Sequence, residues 1–190
     1  MKIILATIFV LLSQNAMANT YNDRETPDFV VIKTDNNIEF REYQDFNIST
    51  NKNDSDEDVN LFGDLFSFIG GNNETKTKID MTVPVLTDKN NPKETYMSFV
   101  VPSKFDLQNI PNPNNKNIVI SKISLKTVLA IKFSGFVSHS NFAKHKDILL
   151  DYAAKNNIKI DQNSVISLIY DSPFTFPFNR RNEIIVKIIK

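Results

Sequence analysis

Apolar residues along most of the chain recur at every second position, the spacing of strands with one buried face. Phe29-Val30-Val31-Ile32 opens the series, and Ile38 and Phe40 alternate with Glu39 and Arg41. Ile79, Met81, Val83 and Val85 share one face, as do Met97, Phe99 and Val101. The habit returns over 118–123, 127–133, 165–170 and 184–189, which completes eight predicted strands. Two segments follow the helical period instead. Val59, Phe62, Phe66 and Ile69 form one stripe, widened by Leu61, Leu65 and Phe68. Acidic residues from Asp54 to Asp58 stand where a helix N-terminus favours negative charge, and Gly70-Gly71 ends the segment. Phe142, His145, Leu149 and Tyr152 form the second stripe, with Ser138 or Ser140 placed to cap it and Asn156-Asn157 to close it.

The order is two strands, a helix and two strands, given twice. This predicts an α+β fold of two halves, with sheets packed together or curled into a barrel and a ligand groove between the halves. Paired asparagines punctuate the elements (Asn36-Asn37, Asn72-Asn73, Asn90-Asn91, Asn114-Asn115), a turn role suited to a chain with only four glycines. Pro84 removes a ladder donor, so the strand around it is expected at an edge or bulge.

The N-terminus reads differently. Met1-Lys2 is a positive start, Ile3 to Leu12 carries no charge, and Ala16-Met17-Ala18 has the small-x-small form of a cleavage site. We read residues 1–18 as a signal peptide, too short in its apolar run to span a bilayer, so no transmembrane anchor remains after cleavage. Residues 19–190 are then the working domain, exported and expected in a bacterial periplasm.

Charge and composition narrow the chemistry. Equal numbers of basic and acidic residues, 22 of each, argue against a nucleic-acid partner, which clustered cations would gather. Without cysteine there is no disulfide, thiolate nucleophile or covalent haem attachment. Nucleotide-binding and hydrolase motifs are missing, and no catalysis is expected. His139 and His145 are six residues apart, about 120° around a helix, and do not form an i, i+4 metal pair. His145 is a weak candidate ligand; the plainer alternative is a partly buried histidine at the stripe's edge.

Two stretches stand out. In the first, Phe174, Phe176 and Phe178 alternate between Pro173 and Pro177, and Arg180-Arg181 follows. The chain has four Arg against eighteen Lys, so two adjacent arginines point to the planar, bidentate geometry that lysine lacks. Either the segment is an aromatic rim with an anion clamp, or it packs across the fold with one Arg bridging to a residue such as Glu183. The second stretch is Lys78-Ile79-Asp80-Met81-Thr82-Val83-Pro84-Val85, where Met81 is a soft metal ligand, a pocket filler or plain core.

That second stretch resembles the K-I-x-M-T-x-P-V signature of the SOUL haem-binding protein family. Phe99-Val100-Val101-Pro102-Ser103 resembles the strand end that follows it, and Ser172-Pro173-Phe174 with Arg181-Asn182-Glu183 resembles the closing segment. Glu39-Phe40-Arg41-Glu42-Tyr43 and Phe133-Ser134-Gly135-Phe136 add to the likeness, in family order from Phe29 to Ile188. The resemblance implies a distorted eight-stranded antiparallel β-barrel with two helices, built as a pseudo-twofold duplication and similar to the ligand-binding domains of some transcription regulators. It implies non-covalent binding of haem or a related tetrapyrrole, or of another small hydrophobic ligand. On that reading Phe62, Leu65, Phe66 and Ile69 form the bed near Met81, with Phe176 at the rim and Arg180 or Arg181 on the propionates. The iron ligand and the oligomeric state stay open.

Overall fold

A computed structural model of the protein describes residues 20–53, 60–91 and 94–189. The leader expected over 1–18, and the acidic run Asp54 to Asp58 with Val59, lie outside the described residues. A short pair, β1 (Thr20–Tyr21) and β2 (Arg24–Glu25), precedes the main sheet. Then come β3 (Phe29–Asp35), β4 (Ile38–Tyr43), β5 (Phe46–Asn53), α1 (Leu61–Ile69), β6 (Val85–Asn91) and β7 (Glu94–Val100). The chain continues with β8 (Ile118–Ile123), β9 (Thr127–Phe133), α2 (His139–Lys155), β10 (Ile160–Ile169) and β11 (Asn182–Ile188).

These elements give an α+β fold: one curled antiparallel sheet of nine strands, a half-barrel, with two helices. The strand order is β3-β4-β9-β11-β10-β6-β7-β5-β8. Two expectations need correction. The ninth strand is β5, between β7 and β8, where no strand was predicted. It carries only Phe46 and Ile48 as apolar residues, and its buried Ser49 and Asn51 hide the alternation that marks a strand. Conversely, residues 78–84 are not a strand. Their polar groups are spent elsewhere: Ile79 N–H donates to Ile69 C=O at 2.8 Å, Val83 N–H to Glu25 C=O at 3.0 Å, and the Thr82 hydroxyl to Val100 C=O at 2.6 Å. Pro84 has no N–H to offer a ladder, so β6 starts just after it, as an interior strand between β10 and β7 rather than an edge.

Register places both helices on one face of the sheet. Ile131 pairs with Ile184, Ile184 with Ser167, Ser167 with Thr87, and Thr87 with Met97, so these positions share a face. There α2 buries Phe142, Leu149 and Ala153 against Leu129, Ile131 and Ile184. On the same face α1 buries Leu65, Phe68 and Ile69 with Phe99 and Ile118. The opposite face packs Val128, Ala130, Ile185, Leu86 and Leu168 into a second layer. Capping follows the sequence: the Ser138 side chain accepts from Asn141 N–H, Gly70 follows the last residue of α1, and Asn60 accepts from Gly63 N–H at 2.8 Å.

Candidate binding cavity

Helical geometry divides the apolar stripe of α1. Leu61, Leu65, Phe68 and Ile69 are buried, an i, i+4, i+7, i+8 set turned into the core. Phe62 and Phe66, one turn apart on another face, stay 45% and 55% exposed, with rings stacked at 6.0 Å. Phe62 is held from below by an edge contact with Phe99 at 5.3 Å. These two rings wall a cavity of about 520 Å³, well inside the range of small-molecule sites.

The cavity lies on the helix-bearing face. Val85, Met97 and Ile169 form its floor, and Met81 and Val83 enter from the irregular 78–84 segment. Phe136 and Val137, which lead into α2, also line it, as do Pro173, Arg180 and Arg24. Arg180 is fixed rather than free: its Nε donates to Thr175 C=O at 2.8 Å, its Nη2 to Pro173 C=O, and its guanidinium lies 5.2 Å from the Phe136 ring centre. Asp171 is the one carboxylate in the wall among the described residues. It already accepts from Tyr21 OH at 3.1 Å, Asn22 at 3.3 Å and Arg181 N–H at 2.6 Å.

Of the residues singled out from sequence, Phe62, Phe66, Met81 and Arg180 meet at this cavity. Leu65 and Ile69 do not; both are buried in the core beneath α1. Phe176 stacks on Phe178 at 5.7 Å and points away from the lining. His145 is also elsewhere, stacked on Phe133 at 4.2 Å with Nδ1 against Asn141 C=O at 2.8 Å. Arg24, Met97, Phe136 and Tyr170 line the wall without having been picked out, because nothing in their local spacing links them before the sheet is assembled.

Arg181 turns from the cavity into a buried charge network on the sheet's other face. Glu183 is fully buried and accepts two bonds from Arg41, at 2.5 and 3.1 Å, and one from Arg181 Nε at 2.8 Å. The Tyr170 hydroxyl donates to the same carboxylate at 3.3 Å, and Arg41 also reaches Tyr43 at 3.2 Å and Glu39 at 2.8 Å. Lys132 completes the chain on Glu39 at 2.6 Å. Burial alone would lower the Arg41 pKa, but the Glu183 carboxylate outweighs it and holds the guanidinium above its ordinary value. Burial, reinforced by the Glu183 charge, pushes the Tyr170 phenol well above its ordinary 10.0. Tyr170 thus belongs to both regions, its ring in the cavity wall and its hydroxyl in the network.

Comparison with known proteins follows this geometry. Sequence comparison with curated proteins gives no match. Among solved structures, a hydrolase from Listeria innocua is similar with a TM-score of 0.58 at 9% identity, covering 83% of this chain and 94% of that one. The EcmrR C-terminal domain is similar with a TM-score of 0.59 at 15% identity, covering 80% and 97%. At such identities these likenesses speak for the fold. The profile of the SOUL heme-binding protein family matches residues 24–187, which takes in every strand of the main sheet, both helices and the cavity. The chain belongs to the SOUL heme-binding protein family.

Proposed function

We propose that this chain is an exported, non-enzymatic binding protein that holds haem or a related tetrapyrrole reversibly in the cavity over β6, β7 and β10. In this reading residues 1–18 are a leader, residues 19–190 act in the periplasm, and the role is transport, storage or buffering. The observation that carries it is the lining: three phenylalanines, Phe62, Phe66 and Phe136, an apolar floor, and two arginines, Arg24 and Arg180. Bound haem would supply a flat apolar macrocycle, two propionates and an iron open to axial donors. The residues present fit its ring and its anionic edge. Phe62 and Phe66 would hold the ring, Arg24 and Arg180 the propionates. Neither histidine lines the cavity, so the soft donors within the wall are the thioethers of Met81 and Met97. Asp171, the carboxylate in the wall, already accepts from three donors.

The same reading includes a duplicated origin. β5-α1-β6-β7 and β9-α2-β10-β11 each set a hairpin beside the strand that leads into the helix, giving the orders β6-β7-β5 and β10-β11-β9. That recurrence supports two pseudo-equivalent halves with the cavity between their helices.

Titration of the chain with hemin tests the proposal. A saturable Soret shift at micromolar concentration is expected, lost in Phe66→Asp while the fold is retained by circular dichroism. No Soret shift in the unsubstituted protein ends the haem reading. A second reading, another small hydrophobic molecule in the same cavity, is favoured by the absence of histidine from the lining. A ligand-dependent rise in melting temperature without hemin binding would select it.

A further inference from the structure

We propose that the loop over 172–179 is a docking element for an anionic phospholipid surface, set beside the mouth of the cavity. Phe174, Phe176 and Phe178 are 96%, 69% and 73% exposed, three large rings turned to water within five residues. Clustered exposed rings of this kind mark an interaction surface, whereas scattered ones need no account. The loop is built to hold them there. Thr175 N–H donates to Ser172 C=O at 3.0 Å, Asn179 N–H to Phe176 C=O at 2.9 Å, and Gly135 N–H to Pro177 C=O at 2.7 Å. Arg180 clamps Pro173 and Thr175 from the cavity side.

Two observations choose a membrane as the occupant. One is charge. No acidic residue occurs from Ser172 to Asn182, where Arg180 donates to backbone carbonyls while Arg181 is spent on Glu183. None occurs from Ser134 through Lys146, the turn and first half of α2 that Gly135 ties to the loop and that carries Lys144 and Lys146. In a chain of zero net charge this is a cationic corner, complementary to anionic headgroups. The other is shape. A ring 96% exposed touches almost nothing of its own protein, so Phe174 projects. A projecting ring flanked by cations suits a fluid interface that closes around it, as aromatic and basic residues do at membrane boundaries. No helix among the described residues is long and apolar enough to cross a membrane, so the contact is peripheral. Pro173, Phe136, Phe66 and Phe62 all line the cavity, so a ligand leaving the bilayer beside the loop would meet an apolar wall. That last step rests on the proposed function; the docking does not.

Residues 19–190 hold every described strand and helix and serve as the test protein. The chain has no tryptophan, so Phe174→Trp supplies a single reporter ring. Its emission should shift to the blue on vesicles of phosphatidylglycerol with phosphatidylethanolamine, and less on phosphatidylcholine alone. Co-sedimentation with the anionic vesicles should fall about tenfold or more in Phe174→Ser/Phe178→Ser, a loss of two apolar anchors. An unshifted emission, or sedimentation unaffected by the double substitution, overturns the proposal. So does a dimer in vesicle-free solution that the same substitution dissolves, since the rings would then close on a second copy. Hemin titration of the same samples reads the cavity separately: loss of hemin binding alone bears on the function, loss of vesicle binding alone on the loop.

Discussion

Arg180 and Arg181 are neighbours in the chain and serve two unlike regions. Arg181 belongs to a closed region, where Arg41 and Glu183 are wholly buried and each donor or acceptor faces a charged or phenolic partner. Arg180 belongs to an open one, where Phe62, Phe66 and Phe136 line a cavity and remain 45%, 55% and 64% exposed. The difference teaches where stability resides. A buried ion pair adds little over an apolar substitute, yet breaking it strands a charge in low dielectric. An exposed ring has not yet gained its transfer free energy, which stays available for a ligand.

The sharpest way to break this contrast is Glu183→Gln. It strips the bidentate carboxylate from the fully buried Arg41, leaving Glu39 as its one remaining carboxylate among the described residues, and takes the main partner from Arg181. We expect a loss of about 3–5 kcal/mol in denaturant unfolding, with protein that still folds retaining its cavity. A loss below about 1 kcal/mol would mean that water enters the network and that the region is not closed.

A finer cut lies within α1. Leu65→Ala removes a fully buried side chain from the core and should destabilise by about 2–5 kcal/mol. Phe66→Ala, one residue on, removes a half-exposed ring and should change stability by less than about 1 kcal/mol while weakening hemin binding. Equal stability losses at the two positions would show that Phe66 is core and that the cavity closes over it.

The same contrast explains how much was legible in the sequence. Seven strands of the main sheet were located from apolar patterning, although β9 is an unbroken apolar run, Val128 to Ile131, buried on both faces of the sheet. β5 escaped because its burial falls on Ser49 and Asn51, which are placed by neighbours far away in sequence. The 78–84 segment misled for the opposite reason. Ile79 and Val83 alternate and are buried, but their N–H groups bond Ile69 and Glu25 outside any ladder. At the site, helical spacing picked out Phe62 and Phe66 but not which face of α1 meets the core, so Leu65 and Ile69 were grouped with them. The alternation of the phenylalanines misplaced Phe176: the segment is a turn with Pro177–Asn179 as a short 3-10 helix, and an extended strand's period does not apply to it. Glu183 beside the paired arginines was a visible sign of the network; its bidentate partner Arg41, 142 positions away, was not.

The smallest effect on either region is that of pH, and the depth of the alkaline fall distinguishes them. Tyr170 and Tyr43 have phenols raised by burial, Tyr170 well above 10.0, while in the unfolded chain both ionise near that ordinary value. Above pH 10 the unfolded chain therefore releases protons that the folded one keeps, and stability falls as pH rises. Glu39 has the reverse sign. Burial alone would raise its carboxyl, but the bonds from Lys132 and Arg41 hold it below its ordinary 4.5, so its contribution is full above pH 4.5 and is lost on acidification. Stability should thus be flat between these limits as far as these three groups control it, with a fall on each side followed by chemical denaturation. In Phe66→Ala the alkaline fall should start where it does in the unsubstituted protein, because no network group touches that ring. In Glu183→Gln it should start at the same pH but be shallower and end sooner, because one of the charges that keeps the folded Tyr170 protonated has gone. An alkaline fall left equally deep by Glu183→Gln would assign the Tyr170 shift to burial alone and detach the phenol from the network that its hydroxyl touches.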